Sequence, residues 1–375
     1  MHCLYMQPRD LSTLSAYTPG KGVAEVAQEV GIDPAALITL SSNENPHGPS
    51  PAATEEIETA ATEVHRYPKQ SHVELTEALA QKWDVLPKQI WLSPGADGAI
   101  DYLSRAFLNP GETVAVPEPG FSYYDMSTQY HHGSLTTYEL TKGEDFTQDP
   151  DAIRSQIDES RILHITSPHN PSGSEMPHND LKRLLSTVDD ETLVAVDEAY
   201  GEYSHQPSAI NLVADHTNIA VLRTFSKAYG LAGLRIGYAV VPEEWADAYE
   251  KINTPFAANE VACRAAREAL ADTAHLEQSV ETARWAREYY RDELPVPVWP
   301  SGGNFVLCDV GDGTAIAEAA LNEGIIIRDT TSFGLPGCVR LSCGTREESQ
   351  KAVEVLSDIL DSTSPMQQVS RSSSA

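Results

Sequence analysis

Six short apolar runs, rich in β-branched residues, recur between residues 90 and 241, and segments of helical length separate most of them. One such segment, 180–185, has the mixed polar and apolar pattern of a surface helix. Strands joined by crossover helices form a mainly parallel sheet that is covered on both faces. The sequence therefore predicts an α/β fold with strands at 90–93, 113–116, 162–165, 193–196, 219–222 and 236–241.

The pattern changes after Pro242. A helical region over 261–294 is followed by a proline-rich break, and strands and helices then alternate up to residue 360. This arrangement is typical of a second, smaller α+β domain. We expect an N-terminal arm over 1–45 that joins the small domain and carries a helix near 23–30, a large domain over 46–245, a small domain over 246–361 and a low-complexity, disordered tail over 362–375.

The charge balance limits the function classes. Lys and Arg number 26 against 55 Asp and Glu, a net charge of −29 among 375 residues. This excess excludes a broad nucleic-acid interface and disfavours binding to anionic membranes. The five cysteines are scattered and form no C-x-x-C pair, so we expect no metal site and no disulfide framework. With no hydrophobic run of spanning length at either terminus, the sequence predicts a cytoplasmic protein with reduced thiols.

Polar or glycine-rich elements follow the predicted strands. In an open parallel sheet, ligands bind beyond the carboxyl ends of the strands, so these elements are expected to share one site. Taken singly, each has an ordinary explanation, such as a turn glycine, a core aromatic, a helix N-cap or a salt-bridged surface lysine. The candidates, in chain order, are Ala96, Asp97, Phe121, Asn170, Asp197, Tyr200, Ser226, Lys227 and Arg235.

Their joint occurrence indicates a specific cofactor. A lysine that is removed from water near another cation loses its proton more readily and becomes a Schiff-base nucleophile, which suits Lys227. A hydroxyl such as Ser226 and a guanidinium such as Arg235 are the groups that bind a phosphate monoester. A carboxylate such as Asp197 is costly to bury unless it is paired. A reactive lysine, a carboxylate for a protonated ring nitrogen, a stacking aromatic and a phosphate site together fit pyridoxal 5'-phosphate.

These residues lie in longer motifs that resemble the fold-type I aminotransferases. The resemblance runs from about residue 8 to residue 360, and within that family the chain is similar to the histidinol-phosphate aminotransferase branch of salt-loving archaea. It implies a large domain with a mainly parallel seven-stranded sheet, and a smaller α+β domain. The stretches that carry it are Ser41-Ser-Asn-Glu-Asn-Pro46, Arg66-Tyr-Pro68, Gly95-Ala-Asp97, Pro119-Gly-Phe121, His169-Asn-Pro-Ser-Gly173, Asp197-Glu-Ala-Tyr200, Ser226-Lys227 through Arg235, Ile327-Arg-Asp329 and Arg340-Leu-Ser-Cys-Gly-Thr-Arg-Glu-Glu348.

The resemblance also implies roles for individual residues. Lys227 would carry the cofactor and shuttle a proton, Asp197 would pair with the ring nitrogen, and Phe121 would stack on the ring. Asn170 and Tyr200 would hydrogen-bond the ring hydroxyl. The cofactor phosphate would be held by Ala96, Asp97, Ser226 and Arg235, with Tyr67 reaching in from the neighbouring subunit of a homodimer. Arg340 would bind the anionic group of the substrate, with Tyr17, Asn304 and Arg328 as further contacts.

The implied reaction transfers an amino group from L-histidinol phosphate to 2-oxoglutarate, giving imidazole-acetol phosphate and L-glutamate in histidine biosynthesis. A threonine-phosphate decarboxylase and an aromatic amino-acid aminotransferase share most of these motifs, although the stretches at 327–329 and 344–348 favour histidinol phosphate. A regulatory ligand sensor built on the same domain is a rival of another class. Its DNA-binding module would need basic residues, which the net charge of −29 and the short arm argue against.

The acidic residues are spread along the whole chain, so the folded state repels itself in dilute buffer. Molar salt shortens the Debye length to about 3 Å and screens this repulsion. We expect Tm, followed by circular dichroism, to rise by roughly 5 °C or more between low and molar KCl. A matched series in sucrose controls for general solute effects, and a Tm that is unchanged by KCl would contradict salt adaptation.

Overall fold

The computed structural model describes Leu11, Leu14 and residues 23–68, 70–157 and 159–363. Within this part of the chain, the strands build two separate sheets, one of seven strands and one of four. The predicted substrate contact Tyr17 and residues 364–375 of the predicted disordered tail lie outside the described residues. Residues 362 and 363, which were predicted to belong to that tail, instead end the last helix of the described chain.

The helices and strands alternate along most of the described chain. The strands are β1 (Ile38–Leu40), β2 (Ile90–Ser93), β3 (Thr113–Glu118), β4 (Ser134–Glu139), β5 (Ser160–Thr166), β6 (Leu193–Asp197), β7 (Ile219–Thr224), β8 (Gly237–Val240), β9 (Phe305–Asp309), β10 (Ile325–Asp329) and β11 (Cys338–Ser342). The helices are α1 (Val23–Val30), α2 (Pro51–Ala61), α3 (Gln70–Trp83), α4 (Gly95–Phe107), α5 (Tyr123–Tyr130), α6 (Pro150–Gln156), α7 (His178–Leu185), α8 (Ala246–Ile252), α9 (Glu260–Ala271), α10 (Thr273–Glu293), α11 (Gly313–Asn322) and α12 (Arg346–Thr363).

The larger sheet has the strand order β2-β8-β7-β6-β5-β3-β4. Its neighbouring strands are parallel, except that β8 runs antiparallel to both β2 and β7. Every residue of β6 and β7 is buried, as expected for central strands that helices cover on both faces. The predicted mainly parallel, seven-stranded sheet is therefore confirmed, and each of the six predicted apolar runs lies on one of its strands.

Two strands and one helix break were not predicted. β4 has the sequence SLTTYE and lies at the sheet edge beside β3, so it needs no continuous apolar run. β1 is only three residues long. The helical region expected over 261–294 is two helices, because the backbone leaves the helical conformation at Asp272. The Asp272 side chain then accepts a hydrogen bond from the His275 backbone N–H at 3.1 Å and caps α10.

The smaller sheet has the order β1-β10-β11-β9 and joins the two ends of the described chain. β1 pairs with β10 in parallel, and β11 is antiparallel to both of its neighbours. Apolar residues of α10, α11 and α12 pack with this sheet in one buried cluster. The domain boundaries at 45/46 and 245/246 stay predictions. None of the described helices has the length and apolar composition needed to cross a membrane.

A buried ion network lies beside the central strands. Arg223 of β7 donates to Glu198 at 2.5 Å and to Glu202 at 2.6 Å, and all three side chains are at most 7% exposed. The Arg223 guanidinium also lies 4.9 Å from the centroid of the Trp83 ring. Because one cation balances two carboxylates that have been removed from water, loss of the arginine leaves buried charge without compensation.

We therefore expect Arg223→Met to lower the free energy of unfolding by about 3–5 kcal/mol. Arg183 is a matched control, because it contacts three aspartates but its side chain is 49% exposed. The same substitution there should change stability by less than about 1 kcal/mol. Unfolding in guanidinium chloride at constant molar KCl measures the free energy of unfolding of both variants. Equal losses in the two variants would contradict a structural role for the buried network.

Candidate active site

The carboxyl ends of the parallel strands surround a cavity of about 460 Å³. A cavity of this size holds a small ligand. Loops after β2, β3, β5, β6 and β7 contribute to its wall, as the doubly wound topology predicts. Most of the predicted site residues line it, namely Ala96, Asp97, Phe121, Asn170, Asp197, Tyr200, Ser226, Lys227, Arg235, Arg328 and Arg340.

Lys227 lies in the turn that follows β7, where it is half-buried. The turn forms because the Thr224 hydroxyl accepts a hydrogen bond from the Ser226 backbone N–H at 3.1 Å. The Lys227 amine donates to the Ser42 carbonyl at 3.1 Å and lies 5.7 Å from the centroid of the Tyr200 ring. These contacts hold the amine at the cavity wall, where it can react with a bound carbonyl compound.

An open helix N-terminus forms another part of the wall. α4 begins at Gly95, and the residue before it, Pro94, provides no side-chain cap. A Cβ on Gly95 would lie 2.7 Å from Arg235 Nη2, and one on Gly237 of β8 would lie 2.9 Å from the Ala96 backbone nitrogen. These glycines let the helix start approach both the guanidinium and the sheet. The N–H groups of the first turn have no partner in the helix backbone, and beside a guanidinium they form a site for an anion such as phosphate.

Arg235 is anchored at this helix start. Its backbone is left-handed, with φ 52°, which directs the side chain back toward α4. The guanidinium donates to Asp97 Oδ2 at 3.0 Å, to the Ser226 hydroxyl at 3.4 Å and to the Ala232 carbonyl at 3.1 Å. Burial raises the pKa of Asp97, and the charges of Arg235 and Lys227 oppose this shift. The sequence-predicted phosphate-binding residues Ala96, Asp97, Ser226 and Arg235 are thus brought together.

The Asp197 carboxylate is at the carboxyl end of β6 and is 4% exposed. Its Oδ2 accepts a hydrogen bond from the Tyr124 hydroxyl at 2.7 Å, and its Oδ1 accepts one from the Ala199 backbone N–H at 2.9 Å. Burial raises the pKa of Asp197, while these two hydrogen bonds lower it. Both donors are neutral, so they do not cancel the negative charge of the Asp197 carboxylate. A cationic ring nitrogen in the cavity would compensate that charge.

Tyr124 was not predicted as a site residue. Its ring stacks on His164 at 4.5 Å between centroids and meets Phe121 edge-on at 5.8 Å. Its hydroxyl also lies 2.8 Å from the Thr166 hydroxyl. Burial raises the pKa of Tyr124 well above its usual value, so the phenol keeps its proton and remains a donor to Asp197. The sequence did offer a signal for Tyr124. It follows Phe121 by three residues, about one helical turn, so the two side chains are expected to lie on the same side.

A third group of contacts ties the cavity to the small sheet. Arg340 of β11 is 6% exposed, and it donates to Asn170 Oδ1 at 2.5 Å and to the Ser41 carbonyl at 2.6 Å. Asn43 donates through Nδ2 to the Tyr200 hydroxyl at 3.0 Å. The segment that follows β1 is therefore fixed to β11 and to the loops after β5 and β6, and together they close one side of the cavity.

Two of the predicted residues do not line this cavity. Tyr67 is 72% exposed and stacks on Phe256 at 4.6 Å between ring centroids. Asn304 is buried and donates to the carbonyls of Asn43 at 3.0 Å and Glu44 at 3.3 Å, so it supports the segment that lines the cavity. Their roles in binding cofactor and substrate stay predictions.

The family is established by comparison with known proteins. The family model described as aminotransferase class I and II matches residues 35–356, which is most of the chain. The chain therefore belongs to the class I and II aminotransferases. It is a transaminase that depends on pyridoxal phosphate, and the open start of α4, Arg235 and the buried carboxylate of Asp197 fit that cofactor's phosphate and ring nitrogen.

Within this family the chain is similar to proteins named histidinol-phosphate aminotransferase. The one from Haloquadratum walsbyi is 63% identical over 356 residues, which cover 95% of each chain. The one from Haloferax volcanii is 58% identical and covers 95% of this chain and 98% of its own. A crystal structure of histidinol-phosphate aminotransferase from Sinorhizobium meliloti in complex with pyridoxal-5'-phosphate superposes with a TM-score of 0.83 at 26% identity, covering 95% of this chain and all of the other.

The close approach of α4 to β8 is testable. A Cβ on Gly237 would lie 2.7 Å from the Gly95 carbonyl carbon as well as 2.9 Å from the Ala96 nitrogen. We expect Gly237→Ala to displace the helix start and weaken pyridoxal phosphate binding at least about tenfold, which corresponds to about 1.4 kcal/mol. Titration of the apoenzyme, followed by cofactor absorbance, measures this.

Gly143→Ala is the matched control, because a Cβ at that exposed position meets no atom within 4 Å. It should leave the affinity unchanged. Tm of both apo variants separates loss of cofactor binding from loss of folding. An unchanged affinity in Gly237→Ala would show that the helix start does not bind the phosphate.

Proposed function

We propose that the protein transfers the amino group of L-histidinol phosphate to 2-oxoglutarate, forming imidazole-acetol phosphate and L-glutamate. The observation that carries this proposal is the presence of two separate cationic centres in one cavity with Lys227. Arg235 lies with the start of α4, whereas Arg328 and Arg340 lie on β10 and β11 of the small sheet. A phosphorylated cofactor and an anionic substrate therefore each have their own site.

The residues that would hold pyridoxal phosphate follow from the first centre. Its phosphate would bind the backbone N–H groups of Ala96 and Asp97, the Ser226 hydroxyl and Arg235. Its ring nitrogen would face Asp197, with Asn170 and Tyr200 at the ring hydroxyl and Phe121 on the ring face. When bound, the cofactor supplies an electron sink that stabilises negative charge at the substrate α-carbon.

Lys227 has two tasks in this scheme. Its amine would hold the cofactor, and its Nζ would take the proton from the substrate α-carbon and pass it to the cofactor. The hydrogen bond to the Ser42 carbonyl supports these tasks, because it holds Nζ at the cavity wall. Asp197 would face the ring nitrogen, and the Tyr124 hydroxyl fixes the orientation of the carboxylate.

The second cationic centre would bind the substrate. Arg340 is the stronger candidate for the substrate's anionic group, since the Asn170 and Ser41 contacts orient its guanidinium before the substrate arrives. Such preorganisation lowers the entropic loss on binding. Both amino donors and both keto acids would use the same cavity in turn, so the kinetics should be ping-pong.

The two alternatives from the sequence are less well supported. A threonine-phosphate decarboxylase would use the same anion sites, and an aromatic amino-acid aminotransferase would use the same cofactor site. The relatives described above carry the histidinol-phosphate name at 58–63% identity across nearly the whole chain. Fold alone does not distinguish these reactions, so the substrate assay decides.

The assembly proposed here is a cytoplasmic homodimer with shared active sites. Its support is an exposed apolar patch formed by Tyr67 and Phe256, which stack on one another and are 72% and 52% exposed. Such patches mark interaction surfaces. In the homodimer, Tyr67 would reach the phosphate in the neighbouring subunit. The organisms of the relatives named above, Haloquadratum and Haloferax, favour a salt-adapted enzyme, as the net charge of −29 does.

The direct test is glutamate formation from histidinol phosphate and 2-oxoglutarate, assayed in molar KCl beside CO2 release from threonine phosphate. We expect glutamate, and CO2 without glutamate would reject the proposal. Lys227→Ala should lose at least about a thousandfold in kcat, because it removes the proton-transfer group. Lys351→Ala, a substitution of an exposed lysine that pairs with Glu354 on α12, is the control and should keep full activity.

A further inference from the structure

The two arginines of the small sheet face one another. Arg328 of β10 and Arg340 of β11 are directly paired across the antiparallel strands. Both line the cavity. Like charges in this relation repel each other and destabilise the pairing. The placement therefore calls for a group that offsets the repulsion when no anion is bound.

The two guanidinium groups are held to different degrees. Arg340 is oriented by Asn170, by the Ser41 carbonyl and by the Phe305 ring, whose centroid is 5.4 Å away. Arg328 donates from Nη2 to the Ser332 hydroxyl at 3.2 Å. Its Nε is buried and has no hydrogen-bond partner within the described part of the chain. Arg328 is thus held by fewer contacts than Arg340.

One aromatic ring contacts both cations. The centroid of the Phe333 ring lies 5.7 Å from the guanidinium carbon of Arg328 and 5.9 Å from that of Arg340. A cation over an aromatic face is attracted to the negative charge of that face. Phe333 therefore attracts both arginines at once, and it lies in the wall of the same cavity.

The backbone fixes the position of this ring. Phe333 ends the short 3-10 helix Thr331–Phe333 between β10 and β11, and Gly334 closes it with φ 79°. The Asp329 carboxylate accepts hydrogen bonds from the Thr331 backbone N–H at 2.8 Å and from its hydroxyl at 2.7 Å. The Phe333 backbone N–H donates to the Thr330 carbonyl at 2.9 Å. The backbone that carries the ring is consequently held in place beside Arg328.

We propose that Phe333 is a positioning residue that sets Arg328 beside Arg340 for a phosphate dianion, and that it thereby determines the preference for phosphate-bearing substrates over carboxylate substrates. A phosphate dianion brings two charges and three oxygen atoms to one point and can bind both guanidinium groups, whereas each carboxylate of glutamate carries one charge and is satisfied by a single guanidinium. This inference rests on the proposed function.

The test compares Phe333→Leu, which keeps the apolar bulk but removes the aromatic face, with Phe333→Tyr, which keeps the face. In the leucine variant we expect KM for histidinol phosphate to rise at least about tenfold, with kcat changed less than about twofold. KM for glutamate in the reverse reaction should rise less than about threefold. In the tyrosine variant both KM values should stay close to those of the unmodified enzyme.

A double-mutant cycle with Arg328→Met shows whether Phe333 acts through that arginine. The double variant should bind histidinol phosphate no more weakly than Arg328→Met alone, because the ring has lost the group that it positions. Additive losses would overturn the inference, as would a parallel rise in both KM values or weaker cofactor binding in Phe333→Leu.

If the unmodified enzyme does not turn over histidinol phosphate, the proposed function fails. If it does, and the ratio of KM values does not change in the leucine variant, only this inference fails.

Discussion

The shared register of the central parallel strands is the constraint on which the rest of the site depends. Thr166 of β5 lies directly opposite Asp197 of β6, and Asp197 lies opposite Leu222 of β7. Three neighbouring strands therefore end at nearly the same level, and the loops that carry Asn170, Tyr200 and Lys227 leave the sheet together. A slip by one residue would turn Asp197 to the opposite face of the sheet, away from Tyr124.

The site differs in charge from the rest of this strongly acidic protein. Four of the 26 Lys and Arg residues line one cavity beside three carboxylates, those of Glu44, Asp97 and Asp197, while the chain as a whole carries a net charge of −29. Two of these cations stand at the start of α4 or near it, and two stand on the small sheet. Buried or half-buried charges are screened by salt much less than exposed ones. The cavity can thus select anions in a solution where salt screens the acidic surface.

Much of the fold could be predicted because buried parallel strands leave a local signal. The runs at 193–196 and 219–222 are apolar throughout, since both faces of the sheet are covered. β4 has no such run, because it lies at the sheet edge and pairs with one neighbour only. β1 is stabilised by β10, which is nearly three hundred residues away in the chain, so no local pattern marks it. The break at Asp272 depended on a single cap and was hidden by the helical pattern on both sides.

The sequence by itself determined which chemical groups the protein brings to its site, because the lysine, the carboxylate and the arginines follow predicted strands in recognisable motifs. The tertiary structure alone decided how those groups are supported. Tyr124 holds Asp197 across 73 residues of chain, and Phe333 comes to lie between two arginines only because β10 and β11 pair in one register. Such contacts depend on strand register and on packing between elements, which local composition does not encode.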